Sequence, residues 1–374
     1  MDRQAFHDRL RSTAADPADL FEHFRTRSAE GRTYHALPDA RHGVERGTVI
    51  LESTGVIVRG FPSIPRVFVL DPGIERFFEA DTTVTIEEKL DGFNVRIVDA
   101  DGVLAFTRGG YVCPFTTGRA REQLAPGEFF ADHPEKMLCA ELVGPETPYT
   151  THEYEGVDTC AFRVFDVRDR ETGEPVPVER RRDLCREYGF DQPRSFGRYT
   201  PVEAVEAVAD AIEALAADGR EGVVCKSADG KRLLKYTTGV QHRDELAYAL
   251  SLPFEYGRDF LFSRVLREAF QAVELGDDAA LEERAHELGE SILLPMVETI
   301  EAVADGEEVG ERFTVRDDPE RVAALLSHLR SFSLTIDVVD DRVEGGERVV
   351  EFRKAAESTQ DHIEYYLAGG TRDE

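Results

Sequence analysis

The chain is predicted to be an α+β protein built on antiparallel sheet, and three observations carry that prediction. Between residues 61 and 239, short β-patterned stretches recur at Val84 to Ile97, Val103 to Thr107, Met137 to Val143, Ala161 to Val167 and Gly222 to Lys226, among Asp-Gly and Gly-Gly turn signals. Strands this short joined by such turns pair antiparallel. From about residue 240 the apolar residues fall at three and four spacing instead, as in Leu246 to Leu252, Phe260 to Leu275 and Ala279 to Val303, the period of amphipathic helices. Beyond Phe313 the pattern becomes mixed again.

Residues 1 to 60 carry a short amphipathic helix with Phe6, Leu10, Leu20, Phe21 and Phe24 on its apolar side, then a strand-like stretch from Gly47 to Arg59. One helix inside the sheet region is fully specified. Thr200 at the N-cap, Pro201 at N1 and Glu203 at N3 make a capping box, Val205, Val208, Ile212 and Leu215 form the apolar face, and Gly219 can close the end. Phe313 to Leu367 reads as helix, strand (Ser333 to Val339), strand (Arg348 to Phe352) and helix, and Gly369 to Glu374 is expected to fray. A single core tends to split beyond roughly 250 to 300 residues. The expected division is therefore 1–60, 61–239, 240–310 and 311–374, an N-terminal α/β extension, a sheet core, a helical segment and a small C-terminal α/β unit.

The formal net charge is −29, and only six of the 45 basic residues are lysines. Such a surface repels itself and phosphate backbones at ordinary salt, and suits a halophile's cytoplasm, where the Debye length shrinks to about 3 Å at 1 M. Disorder is excluded by 41% hydrophobic residues with clear periodicity. Cys113, Cys139, Cys160, Cys185 and Cys225 are scattered without metal-ligand spacing and read as reduced core residues. No signal core and no apolar run near 18 residues is present, so a soluble cytoplasmic protein without membrane contact is expected. The histidines show no zinc spacing, and there is no Walker-type phosphate loop.

Where lysine is rare, each one calls for an explanation. In Thr85 to Ile97, TIEEKLDGFNVRI, Lys89 ends a strand and meets an Asp-Gly pair before a second strand. The bland reading is a β-hairpin with a solvated lysine. Three of the six lysines, however, fall in Lys89-Leu90-Asp91-Gly92-Phe93-Asn94, Glu221-Gly222-Val223-Val224-Cys225-Lys226 and Leu233-Leu234-Lys235-Tyr236.

These strings resemble the motifs of the covalent nucleotidyltransferases, and EEKLDGFNVR resembles most the archaeal ATP-dependent RNA ligases. In the family's order, Lys89 to Asn94 is similar to the KxDGxN nucleophile motif, Arg108 in FTRGG to the arginine that follows it, Glu141 in CAELVGP to the third-motif glutamate, and Phe165-Asp166 to the next motif. Glu221 to Lys226 and Lys235 resemble the last two. The resemblance implies an ATP-grasp-like nucleotidyltransferase core, a lysyl-AMP at Lys89, and joining or circularising of RNA that carries a 5′-phosphate and a 3′-OH. It implies that Lys89, Lys226 and Lys235 are catalytic, that Glu88, Asn94, Arg108, Glu141, Phe165, Lys226 and Lys235 bind ATP, and that Glu221 holds Mg²⁺ or Mn²⁺. It further implies that the helices after residue 240 mediate homodimerisation.

Each role has a physical reason. An attacking amine must be neutral, whereas free lysine has a pKa of about 10.4, so Lys226, Lys235 and a divalent cation are expected to depress it. The same cations would offset charge on the phosphoryl oxygens. Many polynucleotide ligases carry a second lysine where this chain has Thr237, which weakens a DNA-ligase reading. DNA ligases and capping guanylyltransferases usually append a five-stranded barrel, whereas residues 240–303 read helical. The other alternative, an idle RNA-binding dimeric scaffold, is disfavoured by retention of Lys89 with both carboxylates.

Overall fold

The computed structural model describes residues 2–276 and 278–372. Of the tail expected to fray, Asp373 and Glu374 lie outside the described residues. The N-terminal region holds two short helices, α1 (Arg3–Arg9) and α2 (Pro17–Phe21), where the sequence suggested one. A four-stranded antiparallel sheet follows, β1 (Arg25–Ala29), β2 (Arg32–Ala36), β3 (Val49–Leu51) and β4 (Ile57–Val58), so the strand-like stretch is two strands and a turn. Phe6, Leu10, Leu20, Phe21 and Phe24 are buried together in one cluster, as the apolar pattern required.

The central region contains α3 (Leu70–Phe77), β5 (Val84–Lys89), β6 (Phe93–Asp99), β7 (Val103–Thr107), α4 (Pro114–Arg119), α5 (Gly127–Asp132), β8 (Lys136–Val143) and β9 (Ala161–Asp169). It continues with α6 (Val178–Glu187), β10 (Ser195–Tyr199), α7 (Pro201–Ala217), β11 (Gly222–Ser227) and β12 (Leu233–Thr237). These strands form two four-stranded antiparallel sheets, ordered β10-β5-β11-β12 and β7-β6-β8-β9. The capping box of α7 forms as read, with both reciprocal hydrogen bonds in place. Ala204, Val208, Ala211, Ile212 and Leu215 of α7 bury against Val84 and Ile86 of β5, Val223 and Cys225 of β11, and Leu234 and Tyr236 of β12. Because strand side chains alternate, the opposite face of this sheet is left to Thr85, Glu87 and Lys89, to Val224 and Lys226, and to Leu233, Lys235 and Thr237.

The second sheet is packed on both sides. Val98, Leu104, Phe106, Met137 and Cys139 meet the N-terminal sheet. Val95, Ile97, Ala105, Leu138 and Leu142 share a cluster with the C-terminal unit, including Phe313, Val315, Val322, Leu325 and Phe352. That unit comprises β13 (Gly310–Asp317), α11 (Pro319–Arg330), β14 (Ile336–Glu344), β15 (Glu347–Ala355) and α12 (Glu357–Leu367). Residues 313–317 are therefore strand, not the start of a helix. Phe313 and Val315 point inward while Arg312, Thr314 and Arg316 alternate outward, and helix α11 begins only at the Asp318-Pro319 cap.

Between these units lie α8 (Gly239–Ser251), α9 (Arg258–Leu275) and α10 (Asp278–Ala304). Residues 239–304 are thus helical rather than a β-barrel. Among the described residues no helix is long and apolar enough to cross a membrane.

Candidate active site

Lys89 stands at a seam. A hairpin would pair β5 with β6, but β5 ends in the first sheet and β6 begins in the second, so Asp91-Gly92 carries the chain from one to the other. Gly92 is required there by close approach. A Cβ at that position would lie 2.6 Å from the Leu142 carbonyl oxygen and 3.0 Å from Glu141 Cγ, closer than a side chain can pack. The turn is fixed by its neighbours. Asp91 Oδ2 accepts from Gln241 Nε2 at 2.9 Å and lies 3.0 Å from His152 Nε2, and the Asp91 backbone N–H donates to the Tyr154 hydroxyl at 2.8 Å.

Pairing then sets the site in rows. Thr85 lies opposite Lys226, Glu87 opposite Val224, and Lys89 opposite Gly222; across β11, Lys226 faces Leu233, Val224 faces Lys235 and Gly222 faces Thr237. Lys89, Lys226 and Lys235 therefore share the face that α7 does not cover. In the second sheet Asn94 lies directly opposite Glu141. Phe165 is the extra residue of a bulge, since Cys139 pairs with Asp166 and Ala140 with Val164. Bulges re-aim side chains, and this one turns Phe165 into the cleft, where it meets the Phe61 ring edge-on at 5.2 Å between centroids.

The two sheets enclose a cleft lined by Glu88, Lys89, Asn94, Arg108, Glu141, Phe165, Lys226 and Lys235 together with Phe61, Ile64 and Leu233, a mixture of apolar wall and convergent polar groups of the kind that binds small ligands. Every residue named from sequence as catalytic or ATP-binding lies on it. Glu221, the expected metal ligand, does not line it but accepts a hydrogen bond from Lys89 Nζ. Alternation sends the Glu88 carboxylate to the face of α7, where Arg220 and Arg194 are its charged neighbours.

The electrostatics differ from the expectation in one respect. Burial pushes the Lys89 amine down, but Glu221, Glu141 and Asp91 outweigh it and hold it above its ordinary value. Lys226 is engaged elsewhere. Its Nζ is committed to Glu87 Oε2 at 2.9 Å and donates to the Phe165 carbonyl at 2.7 Å. Lys235 is itself pushed down to about 8 by burial, helped by Arg66 and Lys89. Burial raises Glu221 and drives Glu141 up to about 8, opposed by Lys89 and reinforced by the neighbouring carboxylates.

Neither Lys226 nor Lys235 is an exposed strand lysine. Lys226 is 5% exposed, and Glu87, 1% exposed, explains how that is tolerated. Its carboxylate takes Lys226, Arg181 and Arg182, and is held down to about 2 because those cations overcome the cost of burial. Glu87 and Asp91 were missed as site residues although both sit inside the strings that drew attention to Lys89. His152, Gln241 and Arg66 carried no sequence signal at all.

Three buried or half-buried carboxylates, Asp91, Glu141 and Glu221, thus gather around one amine, and the oxygen Asn94 Oδ1 is buried without a hydrogen-bond partner among the described residues. Carboxylates that raise one another's proton affinity are groups a divalent cation would relieve. Among the described residues no three His, Cys, Asp or Glu side chains form a complete protein cage. A cation here would be held by one or two carboxylates, the rest of its shell coming from water and phosphate oxygens, as Mg²⁺ prefers.

Comparison with known proteins accords with this geometry. Residues 82–237 match the profile of the RNA ligase family, and residues 248–370 that described as the ligase Pab1020 C-terminal region. A protein of Methanocaldococcus jannaschii whose function is uncharacterised is 40% identical over 342 residues, spanning 87% of this chain and 85% of its own. Solved structures of an archaeal ATP-dependent RNA ligase, in two forms, are 38% identical, with a TM-score of 0.92 and 100% of both chains covered. A putative ATP-dependent DNA ligase from Aquifex aeolicus is 27% identical with a TM-score of 0.86, covering 95% of this chain and 98% of the other. With the nucleophile motif at the seam and the remaining motifs around one cleft, the chain belongs to the archaeal ATP-dependent RNA ligase family.

Proposed function

We propose that this protein seals RNA ends through three nucleotidyl transfers. Lys89 Nζ attacks the α-phosphorus of ATP, forming a P–N bond as the bond to pyrophosphate breaks. A 5′-phosphate oxygen of RNA then takes the AMP from Lys89, and a 3′-OH finally attacks the RNA phosphorus and expels AMP. The observation that carries this reading is the convergence of Lys89, Phe165, Lys226, Lys235 and Glu141 on one cleft, with Glu221 bonded to the nucleophile.

Phe165 offers its face to adenine. Asn94 and Glu141, opposite each other on β6 and β8, offer acceptors to the ribose hydroxyls. Lys235, short of a carboxylate partner among the described residues, meets phosphate oxygens, and Arg108 at the open side adds a second cation. Glu221 and Glu141 would hold Mg²⁺ or Mn²⁺, which would supply charge neutralisation at the reacting phosphoryl group. Glu221 cannot fully serve Lys89 and a cation together. Drawing its carboxylate away removes the counter-charge that raises Lys89 and so favours the neutral amine.

The helical segment is proposed as a homodimer interface. Phe262, Val273, Leu293 and Leu294 are 62%, 86%, 58% and 49% exposed, an apolar surface that an isolated soluble chain would pay to hydrate. Leu246 and Leu250 of the same segment are buried within the chain and are not part of that surface. The divisions at residues 60, 239 and 310 are proposed as domain limits, and the acidic surface as an adaptation to a salty cytoplasm.

A second reading, sealing of DNA, rests on the likeness to the Aquifex protein. One experiment separates them. Single strands of RNA and of DNA with 5′-phosphate and 3′-OH ends are incubated with ATP and Mg²⁺, and circles and joined products are scored. RNA circles or dimers with DNA untouched support the proposal; sealing of DNA alone overturns it.

A further inference from the structure

One carboxylate beside the cleft pairs with two arginines and lies near a third. Glu245 on α8 takes Arg264 Nε at 2.6 Å and Arg267 at 3.4 Å, both from α9. Arg66, from the segment before α3, feels the same carboxylate but reaches no carboxylate within ion-pair distance among the described residues. Its side-chain partner is the Thr237 hydroxyl. Arg267 Nε is buried with no hydrogen-bond acceptor among the described residues. Three guanidiniums, each with about five N–H donors, therefore share a single ion-paired carboxylate, the Thr237 and Ser263 hydroxyls and the Phe260 carbonyl among the described residues, an arrangement left in electrostatic excess. In a chain of net charge −29, where carboxylates abound, such a deficit is not imposed by composition.

The cluster is continuous with the reaction site. Arg66 pairs with Lys235 through the backbone: the Lys235 N–H donates to Pro65 O at 2.9 Å and the Val67 N–H to Lys235 O at 3.2 Å. Along β12 the rows run from Leu233, opposite Lys226 and so nearest Phe165, to Lys235, and then to Thr237 in the row of Lys89. Arg66, bonded to Thr237, therefore reaches the row of Lys89 from two strands across, at the end of the sheet away from Phe165. If adenine lies on Phe165 and the reacting phosphorus at Lys89, the next group outward is another phosphate. Burial lowers both Arg66 and Arg267, the latter to about 10, with the neighbouring arginines adding to the effect, which is the cost an anion would repay.

We propose that Arg66, Arg264 and Arg267 form a second phosphate subsite, supplied jointly by the sheet core and helix α9, which holds phosphate groups adjacent to the reacting one. The occupant shares one chemistry but has two possible sources, the pyrophosphate portion of ATP and a backbone phosphate of the RNA strand. The subsite rests on the nucleotidyl-transfer reading given above. Guanidiniums suit it because they bind phosphate oxygens in pairs.

The test uses the full-length protein and Arg66→Ala and Arg267→Ala, with Arg66→Lys and Arg267→Gln as milder changes should either alanine variant melt early. Three quantities are measured: pyrophosphate binding by calorimetry, the ATP dependence of self-adenylation, and sealing of RNA that already carries a 5′-adenylate. Loss of a charged hydrogen bond weakens binding about tenfold or more. A loss of that size in pyrophosphate affinity and a matching rise in KM for ATP, with pre-adenylated RNA sealed normally, assigns the subsite to ATP. Normal adenylation with weakened binding and sealing of pre-adenylated RNA assigns it to the RNA strand. Variants that melt like the parent and stay within twofold of it in all three overturn the subsite. A parent protein that does not self-adenylate would instead strike the nucleotidyl-transfer reading, while pyrophosphate calorimetry would still read the arginines.

Discussion

Lys89 ends β5, Glu221 immediately precedes β11, and because Lys89 pairs with Gly222 the amine and the carboxylate meet in a hydrogen bond. The proposed nucleophile is thus stored as a charged amine against the group proposed to hold the divalent cation. Glu221→Gln keeps the shape but removes the charge. It is expected to lose self-adenylation by about 10² or more, because a preorganised charge at the reacting centre is gone. Single-turnover labelling with α-labelled ATP measures this, and a rate within a few-fold of the parent would take Glu221 out of the site.

Glu141 gives a prediction about stability and pH. Its folded pKa is raised to about 8 from 4.5, so the folded state binds the proton more tightly than the unfolded one. The corresponding stability is present below about pH 4.5 and is lost as pH rises through 8. In the absence of divalent cation, the melting temperature of the parent is expected to fall more between pH 5 and pH 9 than that of Glu141→Gln. Parallel melting profiles would contradict the raised value.

Phe165 tests the adenine wall. Stacking of a base on an aromatic ring contributes about 1 to 3 kcal/mol, so Phe165→Ala should raise the KM for ATP by roughly five- to a hundredfold, while Phe165→Tyr keeps most of the affinity. An unchanged KM in the alanine variant would return Phe165 to the role of a core side chain.

These sites were legible from sequence to an uneven degree, for physical reasons. Lys89, Lys226 and Lys235 stood out because lysine is rare here and each falls in a distinctive string, but their strands are buried on both faces, so which strand pairs with which is not written in a period-two pattern. The seam at Asp91-Gly92 was hidden. An Asp-Gly pair between two strands carries a strong local hairpin signal, and what defeats it is the approach of Leu142 and Glu141 from a strand about fifty residues away. The short helices α3 to α6 escaped notice because their burial comes from tertiary contacts, and β13 because its inward Phe313 and Val315 are interleaved with Arg312, Thr314 and Arg316. The Arg66 cluster joins residues about two hundred positions apart, which no local pattern encodes.

The charge and the exposed helical face together predict behaviour in salt. At −29 per chain, pairing of two chains requires screening. Light scattering is expected to give the mass of two chains in molar salt, and Leu293→Glu with Val273→Glu to give one. Activity should rise with salt over the same range, against the usual weakening of RNA binding. A monomer that is fully active in molar salt would contradict the interface, and greatest activity in dilute buffer would contradict the salt adaptation.

The central claim is that Lys89 carries the nucleotide. The most direct measurement is to incubate the protein with ATP and Mg²⁺, digest it under alkaline conditions that preserve a phosphoramidate, and locate the AMP by mass spectrometry. The account predicts AMP on Lys89, discharged when 5′-phosphorylated RNA is added, and none on Lys89→Ala. AMP on Lys226 or Lys235, or full labelling of the alanine variant, would contradict it.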